Sequence, residues 1–195
     1  DTDGGAILSL GTLTLENCLV EDNQATSGSG GALRVEGGAV TVTGGEFLRN
    51  TATWNGGAIS AVDATLTVED EAKFEGNKAV RGGAIYFVGL SELPGLPDDL
   101  PVLSLSDSHF VNNSAWSEKD INIEDDYKLG STWHWLHGGG ALSLAHTKAN
   151  VTGCNFSANE AQVSGGAVFS GNGTAPSFNN CSFFDNKTPG FGGAV

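Results

Sequence analysis

Methionine is absent from the 195 residues, tyrosine occurs twice, cysteine three times and proline five times. Basic residues number 9 against 23 acidic ones, which leaves a net charge of −14. A chain this acidic is repelled by phosphate backbones and anionic bilayers, so nucleic acid is excluded as a natural partner. The charge would suit Ca²⁺, but no loop has the spacing of an EF-hand. No apolar run is long enough to span a membrane, and no secretory leader is visible. The lack of an initiator methionine places the first residue within a processed or incomplete chain. Nowhere does a 3.6-residue hydrophobic period persist, and 29 glycines would weaken helices throughout.

What is present is repetition. Gly-Gly-Ala followed by an aliphatic residue begins at positions 4, 30, 56, 82, 139, 165 and 192, with gaps of 26, 26, 26, 57, 26 and 27. A second mark, Phe-x-x-Asn, runs from Phe47 to Asn50, Phe74 to Asn77, Phe110 to Asn113, Phe156 to Asn159 and Phe183 to Asn186, with Val20 to Asn23 as a degenerate copy. The two marks keep phase through five of six repeats. A fixed period in this range identifies a repeat architecture.

About 26 residues cannot bury a core alone, so each unit must stack on its neighbours. Between the marks the chain alternates with period two, as in Leu13-Thr14-Leu15, Val40-Thr41-Val42 and Leu66-Thr67-Val68. Three short strands joined by turns would fill one unit, and stacking gives an all-β fold, a parallel β-helix of about seven coils. At about 4.8 Å per coil the rod would be roughly 30 Å long. Residues 1–195 then form one domain of a longer chain or polymer. The double glycine would supply a crowded corner or a positive φ. The aliphatic residues and the phenylalanines would form inner rows, and the asparagines a ladder at a bend.

This pair of marks resembles the repeat of the chlamydial polymorphic outer-membrane proteins, and similar repeats occur in large surface proteins of algae and protists. The resemblance implies a right-handed parallel β-helix, exported as an autotransporter passenger, with adhesive function.

Six Asn-x-Ser/Thr sequons begin at Asn112, Asn150, Asn155, Asn172, Asn180 and Asn186. Their excess points to a secretory route and N-linked glycans. Alternation directs Asn150, Asn155 and Asn180 outward. Asn172 lies in a glycine-rich turn, Asn112 is ambiguous, and Asn186, a ladder residue, should be a poor acceptor. Cys18, Cys154 and Cys181 share a phase that holds Gly45, Ala72 and Ser108 in other coils. Cys154 and Cys181 fall in adjacent coils, either as a disulfide or as small buried thiols. Arg34, Arg49 and Arg81 are isolated and expected to face solvent.

The fourth coil carries 31 extra residues, the difference between 57 and 26. They fall near 88–100 and 116–137. The second insertion holds Trp116, Tyr127, Trp133, His134, Trp135 and His137. Loops on a solenoid commonly carry its binding function. Trp116, Trp133, Trp135, Tyr127 and His134 therefore form either a contact surface or a small satellite core. His134 and His137 lack further ligands at metal spacing, so no metal or cofactor is expected. Asp98-Asp99 has no basic partner nearby in sequence, which argues against a polysaccharide-cleaving enzyme. The leading expectation is a structural, N-glycosylated extracellular protein that builds a fibre, stalk or surface layer by self-association. The alternative is a cell-surface adhesin using the aromatic insertion.

Overall fold

In the computed structural model, residues 3–89, 100–116, 138–171 and 173–195 are described. Among them there is no helix; the chain forms stacked parallel strands in four sheets of six, six, six and five strands. Successive strands enter successive sheets, and each pairs with its equivalent in the next coil. Leu33–Glu36, Ala39–Thr43, Glu46–Leu48 and Thr51–Ala52 make one turn of the coil. Leu33 then pairs with Ile59, Val40 with Leu66, Phe47 with Phe74, and Ala25 with Ala52. This is a β-helix solenoid. Five of the six coils have four strands, not the three expected, and the last has three. The fourth strand is two residues long, too short to display an alternation in the sequence.

The doubled glycine has two separate duties. The first of each pair takes a left-handed φ, from 60° to 74° across the seven copies, which a residue with a Cβ would occupy only at a cost. The second has no such φ but lies directly against the next coil. A Cβ on Gly31, Gly57, Gly83, Gly140 or Gly166 would collide with the carbonyl of the following copy's second glycine. The alanine after the pair is fully buried from Ala32 to Ala167. Its carbonyl accepts two N–H groups from the preceding coil, as when Ala32 and Leu33 both donate to Ala58 at 3.0 and 2.9 Å.

Inside, Phe47, Phe74, Phe110, Phe156 and Phe183 stack in one column. Their ring centroids are 4.8–5.0 Å apart and their planes within 10° of parallel. The spacing is that of the coils themselves, so the rings follow the rise of the backbone. Beside them runs the asparagine ladder of Asn23, Asn50, Asn77, Asn113, Asn159 and Asn186. Each Nδ2 donates to the next Oδ1 at 2.9–3.1 Å. Each backbone N–H donates to the same oxygen at 2.9–3.0 Å. From Asn50 onward, the second Nδ2 proton reaches back to the carbonyl of Val20, Phe47, Phe74, Phe110 or Phe156, at 2.9 Å. A carboxamide has two donor protons and two acceptor sites, and in the middle of the ladder all four are used. That is why Asn50, Asn77, Asn113 and Asn159 tolerate complete or nearly complete burial.

The residue before each ladder asparagine turns the chain through left-handed geometry. This holds for Asp22, Arg49, Gly76, Asn112, Ala158 and Asp185, with φ between 53° and 65° for all but Arg49 at 52°. Both insertions leave the solenoid at corners. Across them the register continues unbroken, with Ile85 paired to Leu142 and Leu66 to Leu103.

Candidate functional site

The outer surface is mostly single polar side chains on alternating strand positions. One place differs. Along the shortest strands, Gln24–Ala25, Thr51–Ala52 and Lys78–Ala79, the wall is indented by an open groove of about 570 Å³. Two tryptophans stand on its margins, Trp54 with 52% and Trp116 with 39% of its surface exposed.

A difference of one residue accompanies the indentation. From Phe47 to the next Gly-Gly-Ala at Gly56 is nine positions, but from Phe74 to Gly82 it is eight. The longer coil must bulge. Trp54 accepts the N–H groups of both Val80 and Arg81 on its one carbonyl, at 3.1 Å each. The third coil is thus set back behind Trp54. In the fourth, Trp116 donates its N–H to Ala79 at 2.7 Å and brings its ring to the far side. Gln24, Thr51, Thr53 and Lys78 contribute polar groups to the lining. Among the described residues that line it, none is acidic.

Of the residues singled out in the sequence as a contact surface, Trp116 is therefore at an exposed groove. Trp133, Trp135, Tyr127 and His134 lie outside the described residues, as do His137 and Asp98-Asp99. Trp54 escaped the sequence reading. It is alone in a regular coil, and its neighbour across the groove is 62 positions away.

The sequons fall on different ground. Asn112, Asn150 and Asn180 are exposed. Asn155 is half-buried, and its Oδ1 accepts a hydrogen bond from Ser182 Oγ at 3.2 Å. Asn186 is the last ladder amide and has its Nδ2 committed to Phe156. Asn172 lies outside the described residues.

Cys18, Cys154 and Cys181 are all free thiols. Cys154 and Cys181 precede the paired residues Asn155 and Ser182, so they are neighbours one coil apart. Burial pushes the Cys154 thiol up to about 11, with hydrogen bonding to the Ser108 and Thr152 backbone acting in the opposite direction. Because the native thiol holds its proton longer than the unfolded one, this residue's support is complete below the ordinary thiol value. It fades as pH rises through about 11. At neutral pH Cys154 is a small protonated core residue.

The arginines depart in part from the expectation of solvent exposure. Arg49 is exposed, donating to Asp22 and Glu21 at 2.8 Å and holding the Asp22 carboxyl below its ordinary value. Arg34 is not: its side chain is 14% exposed, and it donates to Ser60 Oγ at 2.8 Å and Glu36 at 3.0 Å. Arg81 also has its Nε buried. Small residues one coil away let these guanidinium groups lie along the wall.

Comparison with curated proteins and with solved structures found no match. A family model does match: that of the Chlamydia polymorphic membrane protein repeat, at residues 44–62 and 72–88, which fall within the second, third and fourth Gly-Gly-Ala coils.

Proposed function

We propose that this chain is a structural rod displayed at a cell surface, part of a fibre, stalk or surface layer held together by coil-on-coil and lateral contacts. The observation that carries this reading is the unbroken asparagine ladder and phenylalanine column. The ladder runs through every coil and the column through all but the first, including the coil that bears two insertions. In such an array each unit is supported by the units above and below, which suits a load-bearing element. The membrane-protein repeat supports a surface location.

Exposed Asn112, Asn150 and Asn180 are the acceptors such a surface would glycosylate first, followed by Asn155. Asn186 would stay bare because its amide holds the ladder. Peptide mass spectrometry of the native protein is expected to find glycan at Asn150 and Asn180 and none at Asn186. Unmodified asparagine at both exposed positions would remove the glycoprotein part of the reading. Electron microscopy of concentrated protein tests assembly. Filaments of constant width are the expected result, and separate short rods at every concentration would overturn it. The adhesin reading draws on a different observation, the groove between Trp54 and Trp116.

A further inference from the structure

We infer that the Trp54–Trp116 groove is a binding site for an oligosaccharide chain of pyranose sugars. The inference does not depend on self-association, and gives the adhesin reading a ligand class.

Three features choose the ligand. The first is the pair of exposed indoles. Trp54 and Trp116 sit on coils two rungs apart, about 10 Å along the rod from the rise of parallel strands. An indole face is large, rigid and electron-rich, and carries an N–H at its edge. It matches the C–H face of a pyranose, whose polar groups point outward around the ring. Two such platforms on one groove suit successive sugars of a chain better than a single small molecule.

The second is what lies between them. Val80 and Ala52 contribute apolar lining, and Gln24, Thr51 and Lys78 add amide, hydroxyl and ammonium groups. A few polar groups in an apolar lining are what fix a hydroxyl-rich ligand. An apolar protein anchor would instead need a deep apolar pocket, with the polar groups removed to a rim.

The third is charge. The molecule carries −14, yet among the described residues that line this groove none is acidic, and Lys78 is the only charged one. A basic peptide would find no counter-charge among these residues. A neutral sugar chain, or one with an occasional carboxylate near Lys78, meets no penalty.

Isothermal titration calorimetry is the test, run at a protein concentration where sedimentation shows single molecules. The probes are cellohexaose, xylohexaose, mannohexaose, N-acetylchitohexaose and sialyllactose. At least one is expected to bind, with Trp54→Ala and Trp116→Ala each weakening it tenfold or more. Both rings are half in solvent, so both variants should keep the wild-type circular dichroism spectrum. Trp54→Phe should recover part of the affinity, because a smaller aromatic face remains. Silence from all five probes at millimolar concentration would overturn the assignment. So would binding that both alanine variants leave unchanged. Failure here would leave filament formation untouched, and loss of filaments would leave sugar binding untouched, so the two readings fail separately.

Discussion

Asn77→Ala is expected to lower the free energy of unfolding by about 3–5 kcal/mol, since each stranded polar group costs about 1–3 kcal/mol. The native amide is fully buried and receives the backbone N–H and the Nδ2 proton of Asn50 on its Oδ1. Its own Nδ2 serves the Phe47 carbonyl and Asn113. Alanine strands two donors and one carbonyl in the coil before it, and no water reaches them. Asn77→Asp should be worse. A carboxylate still accepts from Asn50, but it turns an acceptor towards the Phe47 carbonyl and Asn113 Oδ1, with a buried charge besides. Asn23→Ala supplies the contrast. Asn23 is half-buried, and nothing in the ladder donates to its Oδ1, so its loss should cost less than about 1.5 kcal/mol, the value of an ordinary hydrogen bond. Chemical denaturation followed by circular dichroism gives the order of the three variants. Hydrogen exchange at the Asn50 amide locates the damage. Equal effects at Asn23 and Asn77 would show that the ladder is not what holds the coils.

The larger effect is expected at Gly57. Gly57→Ala puts a methyl group onto the Gly83 carbonyl and within 2.8 Å of backbone atoms of Lys78. Backbone cannot swing aside as a flexible side chain can. The two coils must separate or the chain must fold without one of the contacts. A loss of more than about 4–5 kcal/mol is expected, in the range of severe point mutations. Gly11→Ala is the control, because nothing lies within 4 Å of where its Cβ would point. That change should be neutral or slightly stabilising, since alanine restricts the unfolded chain. Limited proteolysis would read both variants: new cleavage around residues 57–83 in the first, and none in the second.

Much of this was legible in the sequence because stacking forces it there. Gly57 and Gly83 must touch, so both must lack a side chain, and the same holds along the column. Phe47 to Asn50 recurs as Phe74 to Asn77 because the ring and the amide each need their equivalent next door. The fourth strand was not legible. Two residues such as Thr51–Ala52 cannot express a period, and the strand is defined only by its neighbour in the next coil. Trp54 was missed for a similar reason. Nothing local marks it, and the groove is lined from four successive coils. Arg34 looked like a solvent-facing charge because the Ser60 that receives it is a coil away. In a solenoid, a site across coils is written at intervals of about 26 residues, and a short sequence window cannot see it.

The fourth coil bears on how such proteins change over time. It takes 57 residues to do what its neighbours do in 26, yet Leu142 still meets Ile85 where Ile85 meets Ile59. The strands on either side of the added length keep their partners, so the shared cross-section is undisturbed. Novelty at the periphery and conservatism at the axis are therefore mechanically independent, so selection can rewrite what the molecule shows to its surroundings without renegotiating how it stands up.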